Sequence, residues 1–366
     1  MEAELAAPGS LVRFGIVGPG RVAEVHATAL ARIPGACLAA VAGRSPDRTS
    51  AFADRFGARP FASVEEMIHD GAVDAVIVAT PHPRHPEAAI AASEAGCHVV
   101  VEKPMALTVA DCDRMIDAAK AAGVVLSIVS QRRWYPAVRR VKAAIDDGRI
   151  GGPALATLEL LGWRDPDYYA MDAWRGTREG EGGGVLVNQA VHQLDLLSWF
   201  TGAVAEVDGL AANLNHPEIE VEDSAVAVVR FANGALGSIV ASNSQRPGLW
   251  GRIHVHGRNG ASVGVETDAG SSFVAGLSEP TLARNDVWTI PGEETFPGRW
   301  AQEDAAALAA VDIGTHFHEL QLRDVVAAIR DGRAPAVSGE DGRATVALMA
   351  AVYDAATTGG RIAVES

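Results

Sequence analysis

The sequence predicts a two-part α/β protein. A doubly wound parallel sheet is expected over residues 11–130, then an α+β domain with a mostly antiparallel sheet over 131–366, with 1–10 as a loose tail. Three observations predict this. A glycine-rich turn follows the first apolar run, apolar runs alternate with helical patterns as far as residue 130, and period-two runs joined by Asn-Gly pairs dominate after residue 205. Alternating strands and helices of this length build βαβ units. Asn-Gly between alternating runs is a strong hairpin signal.

In order, 11–17 reads as a short apolar strand and 22–33 as an amphipathic helix. A strand at 37–42 leads to a helix at 47–56, ended by Gly57. Phe61 with Ser63-Val64-Glu65-Glu66 is a short strand entering a capped helix. Residues 74–80 form a buried strand, 87–95 a helix closed by Gly96, and 98–101 another buried strand. Thr108 or Asp111 opens a helix through 122, before a strand at 124–129. In the second part, 154–161 alternates like a strand and 185–200 has helical spacing, entered through the flexible glycines 182–184. Period-two runs follow at 205–214, 224–231, 235–242 and 252–257, with Asn233-Gly234 and Asn259-Gly260 as turns. Helices at 317–331 and 343–357 are expected to close this second domain.

With 366 residues the chain can bury two cores. A formal charge of −15, with no basic stretch to offset it, argues against nucleic-acid or anionic-membrane partners. Cys37, Cys97 and Cys112 are too few for a disulfide framework and lack metal spacing; Cys37 and Cys97 sit in apolar contexts as small hydrophobes. No run approaches the ~18 apolar residues of a membrane helix. The first ten residues lack a basic region followed by an apolar one, so no signal peptide is read there. A reducing, cytoplasmic location is expected.

Gly18-Pro19-Gly20-Arg21-Val22-Ala23 stands directly after the first strand and before a helix. Gly18 permits a tight turn, Gly20 lets the backbone approach a pyrophosphate, and Ala23 allows close packing. The helix start, at Arg21 and Val22, offers N–H groups to phosphate. The end of the second strand selects the cofactor. It reads Ala42-Gly43-Arg44-Ser45, with Arg48 one turn on, and has no carboxylate for a ribose 2′-hydroxyl. NADP(H) is therefore favoured, with Arg44 and Ser45 as readers; a solvated Arg44 leaves NAD(H) possible. Thr80-Pro81-His82-Pro83 ends the 74–80 strand in extended backbone, a wall beside the cofactor. His85 either caps the next helix or contacts the cofactor. Glu102-Lys103-Pro104 ends the 98–101 strand, placing Glu102 and Lys103 on the carboxyl edge where ligands bind.

In the block Gly182 to Asp195, a single helix would set Asn188 and His192, four residues apart, on one face. With Lys103 they are candidates to converge on a substrate hydroxyl. Asp195 either orients His192 or caps locally. Trp174 and Arg175, in the aromatic and arginine-rich stretch that begins at Trp163-Arg164, could pack on and bond a sugar; the other reading is a loop anchored by its aromatics. Gln131 and Arg133 are expected to reach the same pocket, with a surface ion pair as the alternative for Arg133. His316 and His318 lack a third ligand at metal spacing.

At these residues the chain resembles the Gfo/Idh/MocA family, named for glucose–fructose oxidoreductase, inositol dehydrogenase and rhizopine catabolism. The resemblance runs from about residue 12 to 364. It is carried in order by the glycine loop, Ala79-Thr80-Pro81, Gly96 to Pro104, Gly182 to Leu197, and Gly339-Glu340-Asp341-Gly342-Arg343. It implies a Rossmann domain followed by a domain with a large, open, mostly antiparallel sheet, through which subunits pair as homodimers or homotetramers. It also implies Lys103 as the catalytic lysine and His192 as the catalytic histidine. Many members carry aspartate where this chain has Asn188, while others carry Asn-Gln. Asparagine cannot accept a proton, so Asn188 is expected to orient the substrate or His192. The implied activity is an NAD(P)-dependent dehydrogenase of a sugar, sugar derivative or cyclitol. His192 would exchange the hydroxyl proton, histidine having an ordinary pKa of ~6.5. The Lys103 ammonium would stabilise alkoxide character. The alternatives are a redox-neutral lyase or glycosidase with transient oxidation, and a non-enzymatic dinucleotide-binding sensor.

Overall fold

A computed structural model describes residues 11–268 and 282–365; the expected tail at 1–10 lies outside the described residues. The chain divides into two compact units. One comprises the residues up to 131 together with 314–343, and the other comprises 132–313 with 344 onward.

The first unit alternates β1 (Val12–Val17), α1 (Arg21–Leu30), β2 (Ala36–Ala42), α2 (Pro46–Phe56), β3 (Arg59–Phe61), α3 (Val64–His69), β4 (Ala75–Val78), α4 (His85–Glu94), β5 (His98–Val101), α5 (Val109–Ala122) and β6 (Leu126–Ile128). The strands pair in the order β3-β2-β1-β4-β5-β6, all parallel. Burial on both faces explains the continuous apolar runs: every residue of β4 is buried. The strand order reverses between β1 and β4, the switch point at whose carboxyl side α/β sheets bind ligands. Ser63 and Thr108 each accept a backbone N–H at a helix start, from Glu66 and Asp111 respectively. Thr108, not Asp111, is therefore the cap of α5.

The second unit contains α6 (Pro136–Asp146), β7 (Pro153–Leu161), α7 (Pro166–Ala170), α8 (Val185–Asn188), α9 (Val191–Thr201), β8 (Val204–Ala212), β9 (Ser224–Phe231), β10 (Leu236–Ser242), β11 (Trp250–Gly257), β12 (Ser262–Asp268) and α10 (Phe296–Leu308). Then come α11 (Ile313–Asp331), α12 (Gly339–Thr358) and β13 (Ile362–Ala363). The seven-stranded sheet has the order β12-β11-β7-β10-β9-β8-β13. Among the described residues only β7 and β10 pair in parallel in this sheet, which is mixed but mostly antiparallel. Asn233-Gly234 and Asn259-Gly260 make the two expected hairpin turns, with φ of 83° and 87° at the glycines. Along β9, buried Ala225, Ala227 and Val229 alternate with exposed Val226 and Val228. The register sets Leu210 opposite Val226 and Leu236 opposite Leu155, giving one sheet face an exposed apolar surface.

Two expectations are corrected. The helix expected over 185–200 is broken: α8 ends at Asn188 and α9 starts at Val191. The Val185 carbonyl accepts from both Gln189 and Ala190, and this wide closure interrupts the helical repeat, so Asn188 and His192 belong to separate helices. The other correction concerns α11, which the sequence pattern assigns to the second domain. Its Leu322, Val325, Val326 and Ile329 instead join the first core with Phe14, Ile16 and Leu30. Gln321 fixes it there, donating to the Ile128 carbonyl at 2.7 Å and accepting from the Ser130 N–H at 3.0 Å. Periodicity reveals an apolar helix face but not which core receives it.

Candidate active site

At the carboxyl edge of the first sheet, β1 runs into Gly18. Its φ is 92°, and a Cβ there would lie 2.8 Å from the Ala79 carbonyl oxygen, so only glycine fits. Gly20 caps α1, and its N–H donates to the Gly18 carbonyl at 2.8 Å. A Cβ on Gly20 would meet nothing within 4 Å, which leaves the mouth of α1 open at Arg21 and Val22. Past β4, Thr80 carries a buried Oγ1 that lacks a partner among the described residues, and Pro81 leads into a 3-10 turn at His82–Arg84. At the end of β2, Arg44 and Arg48 are exposed and Ser45 caps α2. A glycine cradle at a helix N-terminus, an orphaned hydroxyl and two exposed arginines on one sheet edge fit a dinucleotide.

β5 delivers Glu102 and half-buried Lys103 to the same edge. The Glu102 side chain is buried. Its Oε1 lies 2.7 Å from Nε2 of His26 on α1, and its Oε2 accepts the Lys103 N–H at 3.2 Å. Burial alone would raise this carboxyl, but the His26 hydrogen bond and the charges of His26, His318 and Lys103 outweigh it and hold it at about 2. His318, from α11, meets His26 edge-on with ring centroids 5.4 Å apart. Burial, then the neighbouring His26, pulls His318 down to about 4. His85 opens α4. It is fully buried, with Nδ1 2.9 Å from the Pro104 carbonyl and Nε2 2.8 Å from the Thr80 carbonyl. It ties together the turns after β4 and β5. Gln131 is buried, with Oε1 unpartnered among the described residues.

In the second unit, α8 presents half-buried Asn188 and α9 presents buried His192. The Asn188 Nδ2 donates to the Tyr168 hydroxyl at 2.9 Å and to Glu181. Neither partner stands out in the sequence. Arg175 donates to the same Tyr168 hydroxyl at 2.6 Å and lies over the Tyr168 and Trp174 rings at 4.4 and 4.7 Å. The aromatic and arginine-rich stretch is thus a packed bracket around Tyr168. Arg133 forms a buried bidentate ion pair with Asp195. Among the described residues, no group of three or more His, Cys, Asp or Glu is placed to hold a metal ion. Among the same residues, no helix is long and apolar enough to cross a membrane.

Residues 12–130 match a family described as oxidoreductases with an NAD-binding Rossmann fold, and 138–263 match the GFO/IDH/MocA C-terminal domain. The chain is 30% identical to 1,5-anhydro-D-fructose reductase of Ensifer adhaerens, over 97% of this chain and 99% of the relative. The chain belongs to the Gfo/Idh/MocA oxidoreductase family. It is 30% identical to myo-inositol 2-dehydrogenase of Thermotoga maritima, over 92% of this chain and 94% of that one. The solved WlbA dehydrogenase of Bordetella pertussis, in complex with NADH and UDP-GlcNAcA, superposes with a TM-score of 0.86 at 34% identity, covering 98% of this chain and 99% of that one. As a Gfo/Idh/MocA member, the chain is an NAD(P)-dependent oxidoreductase, and its first unit is the nucleotide-binding domain.

Proposed function

We propose that the chain is a dehydrogenase or reductase acting on a secondary carbinol of a sugar, sugar derivative or cyclitol. The observation that carries this reading is Lys103, set by β5 on the sheet edge that also holds the Gly18–Gly20 cradle. Bound nicotinamide supplies the hydride acceptor or donor. Lys103, as an ammonium, bonds the reacting oxygen and stabilises its alkoxide character. His192 takes or gives the hydroxyl proton. Asn188 orients the substrate. The absence of a carboxylate at the end of β2, with Arg44 and Arg48 exposed, supports acceptance of NADP(H); the NADH complex of the WlbA relative supports NAD(H) as well. The same complex, together with Arg164 and Arg175 packed at Tyr168, supports a sugar carrying an anionic substituent. Subunits pair through the exposed apolar face of the second sheet, and the enzyme works in the cytoplasm.

The test is reduced-nicotinamide absorbance with sugars, cyclitols and UDP-GlcNAcA, wild type beside Lys103→Ala. The variant is expected to bind cofactor normally and lose about 10²–10⁴ in turnover. Turnover unchanged within a few fold would remove Lys103 from the reaction. Product formed without net absorbance change would replace the dehydrogenase with a redox-neutral enzyme.

A further inference from the structure

We propose that His26 is a positioning residue for Lys103, acting through the Glu102 carboxylate. This rests on the reading of Lys103 as the group at the reacting oxygen.

Lys103 is the first residue past the end of the sheet ladder. The Glu102 N–H still donates to the Val78 carbonyl of β4 at 3.0 Å, and the Val129 N–H donates to the Val101 carbonyl at 2.8 Å. The Lys103 N–H donates to Oε2 of Glu102 at 3.2 Å. Oε1 of the same carboxylate lies 2.7 Å from Nε2 of His26. The carboxylate thus joins a side chain of α1 to the backbone of the residue that carries the ammonium. It is buried and held at about 2, so it accepts as an ion throughout the neutral range.

His26 sits where an apolar residue is expected. It lies on the buried face of α1 with Ala23, Ala27 and Leu30, and is 1% exposed. Its Nδ1 has no hydrogen-bond partner among the described residues, a burial penalty that an apolar side chain of similar size would avoid. The contact to a charged acceptor offsets that penalty. His318 of α11 meets the ring edge-on, with centroids 5.4 Å apart, and so braces it from a second element.

α1 is also the helix whose mouth, from Gly20 to Val22, forms the open phosphate cradle. His26 follows Arg21 by five residues, about 7.5 Å along the axis. One short helix therefore connects the cradle to the turn that sets Lys103.

Lys103, Lys120 and Lys142 are the three lysines of the chain, so protein labelled with heavy nitrogen at lysine gives three backbone amide signals in NMR, and Lys103→Arg identifies one of them. His26→Leu removes the donor and strands the buried carboxylate. It is expected to displace the Lys103 signal while those of Lys120 and Lys142 stay. On the substrate found in the absorbance screen it is expected to lower kcat about tenfold, with cofactor KM unchanged. His26→Gln, whose amide nitrogen stands as many bonds from the backbone as Nε2, is expected to restore both the signal and kcat. His26→Leu/Glu102→Met removes both polar groups, and is expected to recover the unfolding midpoint but not kcat. A Lys103 signal unmoved in His26→Leu would overturn the coupling. Wild-type kcat in His26→Leu, or kcat that returns with the midpoint in the double variant, would overturn the positioning role. If His26→Leu does not fold, His26→Asn, whose amide nitrogen falls one bond short, is read by the same criteria. If wild type turns over no sugar or cyclitol, the reading of Lys103 fails while the amide signals still decide the coupling.

Discussion

Arg133 and Asp195 grip each other through two parallel hydrogen bonds, Nε to Oδ2 at 3.0 Å and Nη2 to Oδ1 at 2.5 Å, with both side chains less than a tenth exposed. The guanidinium also lies 5.0 Å from the centroid of Trp199. Asp195 sits one turn from His192 on α9, so this clamp fixes the roll of the helix that presents the proposed acid–base group.

Removing one partner strands a buried charge. Asp195→Ala is expected to lower stability by about 3–5 kcal/mol, read as a lower denaturant midpoint. Arg133→Met/Asp195→Leu, which removes both charges, should recover most of that loss. A single variant as stable as wild type would show the pair to be energetically idle.

Acid should weaken the first unit in two overlapping stages. His318 is held neutral, down at about 4, so its contribution is full above the ordinary histidine value of ~6.5 and is lost as pH falls through 4. Glu102, held at about 2, contributes fully above the ordinary carboxyl range and loses that contribution as pH falls toward 2. His318→Gln is therefore expected to flatten the decline of the unfolding midpoint between about pH 6.5 and 4. Unfolding profiles of the same slope in variant and wild type would contradict this.

Arg44→Asp should exchange the cofactor preference. A carboxylate at the end of β2 repels a 2′-phosphate and accepts from a ribose hydroxyl. KM for NADP(H) is expected to rise about tenfold or more, with KM for NAD(H) unchanged or lower. An equal loss with both cofactors would make Arg44 an adenine-stacking residue instead.

The outer sheet face offers Leu210 at 73% exposure and Val228 at 60%, far more apolar surface than a solvated strand needs. If subunits pair through this face, as proposed, Leu210→Glu/Val228→Lys is expected to lower sedimentation to that of a monomer without lowering the unfolding midpoint of each subunit. Unchanged sedimentation would move the interface elsewhere.

The parallel domain is legible in the sequence because β4 and β5 are apolar along their whole length and helix ends are punctuated by glycines with positive φ, such as Gly57, Gly96 and Gly123. The hairpins are legible because Asn-Gly turns act locally. What escaped depends on distant partners. Glu181 stands beside Arg178, Glu179 and Gly180 in what reads as a solvated polar loop, and only the return of the chain buries it. Gln131, Arg132 and Arg133 are three adjacent polar residues with no periodicity, so the ion pair to Asp195, 62 positions on, leaves no local trace. His26 on α1 carries nothing in its neighbourhood to announce Glu102, 76 positions away.

The return of α11 to the first core makes that domain discontinuous in the order of synthesis. All six of its strands precede residue 131, yet Leu322, Val325, Val326 and Ile329 come from the far end of the chain. As the polypeptide leaves the ribosome, the core around Phe14, Ile16 and Leu30 lacks the α11 side chains until almost the whole second unit has been made. The nucleotide-binding domain is thus completed only by residues made late, and a fragment that stops at residue 130 lacks part of its own interior.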